Sequence, residues 1–510
     1  MKFLKKHSLS ITLIFIGFIL TWQGVTNPLW KEEKVIRSDA IIYYTYLPAT
    51  FIDNNPLFDP DKGDESNYQV HKSPIGKNAV KMSMGVAVLN VPFFLAGHCY
   101  ANIDVNYEAN GFSAPYHLAI LLSSVFYTLF GLIFLGLFLK RKFSKVVAII
   151  TIILIGFGTN LYYYAVYEGG MSHPIVFFLL SLLLFVTNNW INNKKIWKSL
   201  LIGLIFGLII LIRPINILFC IPFLFFLEQP NQSRKKHFKN LFLPIHHIIL
   251  IVVGVMLAVS PQLYFWKVQT GEWIYYSYRE EGFFWTNPHI WKGLFSFRKG
   301  WFIYTPMMLI ACFGFYHLYK SRRNYFWGII TFLIPFLYVT FSWWCWWYGG
   351  SFGARTLIDI LPFMSIPLAA LVEKMLVQRY GNLLMMVFCL LIYLNLFQSW
   401  QYSKGFIHYD GMTKSAYKKI FLKDYTTNEY WELILRPDYE NALANGVELE
   451  GIPIFSRDKN SPIYEESIQN FINYIKSDEA WMEDIKKKAI MDNISIDSAL
   501  RVVAEDNIAN

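Results

Sequence analysis

Charge is what this chain has least of. Only 16% of its 510 residues are Asp, Glu, Lys or Arg, while 55% are hydrophobic and 18% aromatic. A soluble domain needs more charge than that to cover its surface, which excludes the soluble enzyme and binding-protein classes. Cysteine is scarce as well. Cys99, Cys220, Cys312, Cys345 and Cys389 lie far apart without any C-x-x-C. That leaves neither a zinc site nor a disulfide framework, and all five read as small apolar packing residues. Walker and Rossmann glycine patterns, H-E-x-x-H and G-x-S-x-G are missing too, so nucleotide chemistry is not expected. No Lys/Arg tract is long enough to track a phosphate backbone, and nucleic acid is not a partner. The short alternating strands of a transmembrane β-barrel are absent.

What is present is a series of apolar runs near the ~20 residues that cross a bilayer. The fold class they predict is an all-α polytopic membrane protein. Residues 400–510 hold 13 Lys and Arg against 19 Asp and Glu, a balance of −6, so the remainder carries +16 of the net +10. The basic excess therefore belongs to the membrane part and marks its cytoplasmic loops. Lys2, Lys5 and Lys6 place the N-terminus inside. W22-Q-G-V-T-N-P28 lacks a small-x-small cleavage site, so the first run reads as an uncleaved helix. Spans are predicted near 9–26, 115–139, 146–166, 173–190, 198–212, 215–228, 245–265, 303–318, 325–342, 357–373 and 382–398. The inner loops then carry Lys140/Arg141/Lys142, Lys194/Lys195/Lys198, Arg234/Lys235/Lys236/Lys239, Lys320/Arg322/Arg323 and Lys374/Arg379. About eleven crossings place the C-terminus outside. The segment 79–98 holds Lys81, Asn90 and Pro92 and reads as re-entrant or interfacial, which makes 27–114 one long external region. Residues 1–400 form the membrane domain, and 401–510 a small, mainly helical external domain with helix starts at Ser477 and Ser495.

The polar residues that interrupt apolar sequence all fall on the predicted outer side. Asp39 follows the first span in R37-S-D-A-I-I-Y-Y-T-Y-L-P48, flanked by Tyr43 and Tyr44. Glu168 and His173 stand at one outer turn and Arg213 at another. Tyr278, Arg279 and Glu280 share a large outer loop with Arg298 and Lys299. Arg355 ends W347-Y-G-G-S-F-G-A-R355, with Asp359 as its expected ion-pair partner. Singly, such residues are usually snorkelling anchors or interfacial belt residues. Jointly they predict an aromatic, partly basic cavity. Arginines suit a phosphate, and an acid can take the proton from a hydroxyl nucleophile.

Over about residues 1–400 the chain resembles the GT-C superfamily of integral-membrane glycosyltransferases, with protein O-mannosyltransferases and lipid A aminoarabinose transferases as relatives. The likeness rests on the architecture and on Asp39 in the first external loop. A40-I-I-Y-Y-T-Y-L-P-A-T-F-I52 and 79–98 stand where the family has juxtamembrane helices. The phrases S277-Y-R-E-E-G-F-F-W, S296-F-R-K-G-W-F-I-Y-T-P306 and W347-Y-G-G-S-F-G-A-R355 resemble an allied bacterial membrane family. The resemblance implies a glycosyltransferase of the bacterial inner membrane that uses a polyprenyl-phosphate sugar donor on the periplasmic face, with a glycan, lipid or protein acceptor. Asp39 would be the catalytic base. Arg355, with Arg298 or Lys299, would hold the donor phosphate, and Tyr43, Tyr44, Glu168, His173, Arg213, Tyr278, Arg279 and Glu280 would shape the substrate pocket. Several family members carry an acidic pair where Asp39 is followed by Ala40, which favours a single-acid base over a two-carboxylate metal site. No cofactor is expected, and a divalent metal stays open. The alternatives are a transporter or flippase of a lipid-linked or anionic substrate, and a non-enzymatic assembly factor acting through the tail.

Overall fold

The computed structural model describes residues 2–59, 68–226, 244–379, 381–447, 451–456, 463–476, 479–492 and 494–509. Helix α1 (Lys2–Thr26) is followed by the short α2 (Asp39–Tyr44) and α3 (Tyr46–Phe51), a hairpin of β1 (Val70–Lys72) with β2 (Asn78–Val80), and α4 (Gly85–Ile103). Then come α5 (Ala114–Leu139), α6 (Lys145–Phe157), α7 (Leu161–Val166), α8 (Ser172–Asn192), α9 (Ile196–Ile212), α10 (Cys220–Phe226) and α11 (Ile245–Thr270). After two short helices, α12 (Ile290–Phe295) and α13 (Trp301–Tyr304), the membrane part closes with α14 (Pro306–Ser321), α15 (Arg323–Phe341), α16 (Leu361–Met375) and α17 (Gly381–Ser403). Among the described residues, seven helices are long and apolar enough to cross a membrane: α1, α4, α5, α8, α11, α15 and α17. The other expected spans correspond to shorter helices. The predicted loop cations Arg234, Lys235, Lys236 and Lys239, and the acids Asp61 and Asp64, lie outside the described residues.

The two ends of the bundle differ in chemistry. At the basic end, Arg322 reaches Glu373 at 2.8 Å and the Lys142 carbonyl at 2.9 Å, tying three of the predicted inner loops together. Ser199 joins Trp190 at 2.8 Å to His247 at 2.7 Å at the same end of α8, α9 and α11. Every predicted site residue lies at or toward the opposite end, called the site end below.

Two expected spans are broken there. The run 146–166 is not one helix: α6 stops at Gly158, and α7 starts after Asn160. Broken backbone at membrane depth needs partners, and Asn395 of α17 donates to the Phe157 carbonyl at 2.9 Å and the Thr159 carbonyl at 2.8 Å. The run 215–228 likewise begins as a 3-10 turn over Pro214–Phe219, since Pro214 supplies no N–H to continue α9.

The segment read as re-entrant or interfacial is a continuous helix, α4, with Pro92 inside it. By length and composition it can cross a membrane. Its partners show a different placement. Tyr127 bonds the Leu89 carbonyl and Tyr116 bonds His98, so α4 runs antiparallel to the first half of α5 only. It starts at the depth of the site and runs back toward the site end, forming a wall.

The tail folds as short helices, α18 (Lys414–Ile420), α19 (Asn428–Trp431), α20 (Tyr439–Asn445), α21 (Tyr464–Lys476), α22 (Glu479–Met491) and α23 (Ile496–Ala509), with a two-residue ladder, Leu435–Arg436 against Ile452–Pro453. Ser495 caps α23 by accepting from the Ser498 N–H at 3.1 Å. The expected cap Ser477 lies outside the described residues.

Candidate active site

Asp39 opens α2, and the residue before it carries the local strain. Ser38 sits at φ 51°, ψ −130° and makes no side-chain cap bond. That conformation is one a non-glycine residue adopts only under constraint. It turns the chain sharply so that Asp39 and Tyr43, one helical turn apart, share a face. The opposing turn makes room for them. Gly170 lies at φ 85°, where a Cβ would stand 3.1 Å from the Cβ of Ala40. Its N–H donates to Ser124 Oγ of α5 at 3.1 Å. Ser124 is ten residues into α5, so at 1.5 Å per residue the site is sunk about 15 Å below the tip of that helix.

The central contact joins residues 316 apart in sequence: Arg355 Nη2 donates to Asp39 Oδ2 at 2.6 Å. Arg355 is brought there by the glycine-rich turn before it, where Gly353 takes φ 62° and a Cβ would meet the Tyr304 side chain at 2.9 Å. Burial raises the Asp39 carboxyl, but the adjacent Arg355 guanidinium more than offsets this and holds it below the ordinary carboxylate range. Asp39 is therefore an anion at neutral pH, and its side chain remains about a third exposed (32%).

Behind this pair lies a second ionic cluster, centred on fully buried Asp359. Arg213 donates to it at 3.0 Å, and His173 Nδ1 is 2.9 Å away. This corrects the expected Asp359–Arg355 pairing: Asp359 serves Arg213 and His173, and the guanidinium of Arg355 is turned to Asp39. Tyr43 belongs to the site, with its hydroxyl 3.5 Å from Ser172 Oγ. Tyr44 does not. A helix advances about 100° per residue, so Tyr44 points away, bonding the Gly111 carbonyl and packing at a tilt against Phe94 and edge-on against Phe112.

Glu168 lies beside the Asp39–Arg355 pair. Its Oε2 is buried without a hydrogen-bond partner, and burial raises its carboxyl despite nearby Arg355 and Arg37. Tyr278 contributes a wall: its ring lies under the Lys81 ammonium, 5.2 Å from the ring centre. Lys81 is itself ion-paired with Glu281. Glu280, expected in the substrate pocket, is exposed, and it is the next residue, Glu281, that turns inward to Lys81. Arg279 is exposed as well, reaching the Lys72 carbonyl at 3.4 Å.

Arg298 and Lys299 face the tail. Arg298 donates to the Asp410 carbonyl at 2.7 Å and the Leu435 carbonyl at 3.3 Å. Lys299 bonds the carbonyls of Ser351 and Tyr409. Burial brings its ammonium down to about 7. Among the described residues no cluster of three or more His, Cys, Asp or Glu side chains is suited to hold a metal.

A cavity of about 1020 Å³ lies beside this site on the tail side, lined among others by Arg37, Ser38, Tyr163, Glu168, Tyr402 and His408, while Asp39 and Arg355 themselves stand outside its lining.

The dolichyl-phosphate-mannose-protein mannosyltransferase family matches residues 113–265. No curated protein matches. Solved structures similar to the chain include the Archaeoglobus fulgidus oligosaccharyltransferase in complex with Zn and sulfate (16% identity, TM-score 0.46, covering 80% of this chain and 54% of that one). The apo form of the same enzyme is similar at 14% identity and TM-score 0.48, covering 87% and 60%. The chain thus spans between half and two thirds of the length of those proteins. The likeness to the dolichyl-phosphate-mannose-protein mannosyltransferase family lies in the stretch from the start of α5 into α11, under a third of the chain.

Proposed function

We propose that the chain is a glycosyltransferase that moves a sugar from a polyprenyl-phosphate donor to an acceptor hydroxyl, at the external face of a bacterial inner membrane. The observation that carries this is the Asp39–Arg355 pair at 2.6 Å, partly exposed and sunk beneath the tip of α5. In the proposed reaction the acceptor oxygen attacks the anomeric carbon and its proton passes to Asp39. The bond from that carbon to the phosphate oxygen breaks, and the electron pair leaves with the phosphate. Arg355 matches that leaving group, because a guanidinium fork binds phosphate oxygens as readily as a carboxylate. An incoming phosphate competes with Asp39 for the fork and frees the carboxylate to act as base. Arg213, His173 and Asp359 then act as a rigid backing, and Arg298 and Lys299 as tail anchors instead of donor ligands.

Transfer from a radiolabelled polyprenyl-phosphate sugar, measured in proteoliposomes, tests this. Asp39→Asn is expected to lower transfer by about 10²–10⁴-fold, the usual worth of a general base. Arg355→Lys, which keeps charge but loses the fork, should lower it less than Arg355→Ala. Full transfer by Asp39→Asn protein would end the assignment. Substrate transport by that variant would favour the transporter reading.

A further inference from the structure

The cavity beside Glu168 is built by both parts of the chain. Its floor and one side come from the membrane part: the turn after α1, Tyr163 and Tyr167, Glu168 and the end of α17. Its roof comes from the tail, through His408, Tyr409, Trp431, Arg436, Glu466 and Phe471. Arg298 and Lys299 hold this roof in place through the carbonyls of Tyr409, Asp410 and Leu435.

The wall chemistry narrows the occupant. The wall carries nearly balanced charge, with Lys34, Arg37, Lys404 and Arg436 set against Glu32, Glu168 and Glu466; Lys34 pairs with Glu32 at 2.9 Å, and Arg436 with Glu466 at 3.2 Å. A strongly anionic ligand would meet acids nearly as often as cations. A lipid tail would meet amide, hydroxyl and charged groups at Gln23, Asn27, Ser38 and Ser403. Most of the remaining surface is aromatic, with Tyr163, Tyr167, Trp400, Tyr402, Tyr409 and Trp431 beside the aliphatic Leu29, Ile407 and Ile454. Flat apolar faces among hydrogen-bonding groups suit a sugar, whose rings present C–H faces and hydroxyl edges. At about 1020 Å³ the space reaches the top of the range for small-molecule sites, roughly 300–1,000 Å³, and has the volume for several sugar units. A second observation concerns an acid in the wall: Glu168 lines the cavity, and its Oε2 is sealed without a partner, so its other carboxyl oxygen is the one a ligand hydroxyl would reach.

We propose that this cavity binds a neutral, polyhydroxylated carbohydrate chain as the acceptor, with the tail as its roof and Glu168 receiving a sugar hydroxyl next to Asp39. This rests on the transferase reading above and adds the acceptor's chemical class and a role for the tail.

The test uses the full chain in detergent, and reads quenching of tryptophan fluorescence from Trp400 and Trp431. The probes are neutral hexasaccharides of glucose, mannose and N-acetylglucosamine, an acidic hexapeptide, and phosphatidylglycerol micelles. The expected result is saturable quenching by at least one hexasaccharide and by neither other probe. Tyr167→Ala and Glu168→Gln should each weaken it at least tenfold, with thermal melts showing that both variants fold. Should Tyr167→Ala not fold, Tyr167→Leu removes the ring face at similar bulk. Binding of the peptide or lipid alone, no binding of any hexasaccharide, or binding indifferent to these substitutions overturns the proposal. Donor cleavage is followed separately. If Asp39→Asn stops donor cleavage while no hexasaccharide binds, only the acceptor assignment falls. If a hexasaccharide binds but donor is never consumed, only the transferase reading falls.

Discussion

At the residue scale, Ser38 shows how the local chain was shaped for position and not for comfort. At φ 51° it occupies a region suited to glycine, and strain of this kind costs of order 1–3 kcal/mol. Its side chain makes no cap bond to offset that cost. Ser38→Gly relieves the strain but adds about 0.5–1 kcal/mol of backbone entropy in the unfolded chain. The expected outcome is a net gain of about 1 kcal/mol, seen as a higher melting temperature in detergent, with Asp39 still beside Arg355. A lower melting temperature would mean that the strain is absent in solution. The neighbouring acids also differ by environment alone. Asp39 is held charged by Arg355, while burial pushes Glu168 toward its neutral form. That division suits a base beside a hydroxyl-binding group.

At the element scale, α9 and α11 run parallel in close contact, and glycine makes this possible. A Cβ on Gly203 would lie 2.1 Å from the Ile251 carbonyl oxygen, and one on Gly207 would lie 2.7 Å from the Ala258 Cβ. Gly254 returns the contact, with the Leu200 carbonyl oxygen 2.5 Å from its Cβ position. Gly203 and Gly207 form a G-x-x-x-G stripe, the small-residue pattern that lets membrane helices approach closely. The site depends on this pair, because Gln262 of α11 accepts from the Met84 N–H at 2.9 Å and Ser83 bonds the Leu211 carbonyl of α9. Those bonds hold the start of α4, and Lys81 with it, against the site. Gly203→Leu is expected to force the helices apart and cost about 1–3 kcal/mol or more. It should lower the melting temperature and transfer activity together. Unchanged melting would show that the pair is looser than its geometry.

At the scale of the whole molecule, the tail and the membrane part meet over buried Lys299. Its ammonium titrates near 7, and in the unfolded chain near the ordinary 10.5. Between those values Lys299 takes up a proton when the tail is released, so docking strengthens as pH rises from about 7 to 10.5. His408, pushed down by burial to about 3, adds a strengthening that is complete by pH 6.5. The raised carboxyls of Glu168 and Asp410 act the opposite way from their ordinary values upward, on the acid side. Limited proteolysis between residues 403 and 414 should therefore slow as pH rises from 7 to 9. Lys299→Met should remove that dependence. Release of the tail that accelerates with pH would contradict the sign.

The sequence by itself determined that this is a multi-pass helical protein, which end of the bundle carries the basic loops, and that the unusual polar residues gather at the other end. Those are consequences of composition and of the cost of placing charge in hydrocarbon, which act residue by residue and leave a mark on the chain. Asp39, Tyr43 and Arg355 were legible as candidates for the same reason. Which groups pair was not legible. Asp39 meets Arg355 across 316 residues, Asp359 answers Arg213 and His173, and Lys81 answers Glu281. Arg298 and Lys299 read by sequence as donor-phosphate cations but are engaged by the tail. Such choices depend on the depth at which α4 starts, on the break between α6 and α7, and on glycines that let helices touch. They are set by packing among distant segments, and only the tertiary structure decided them.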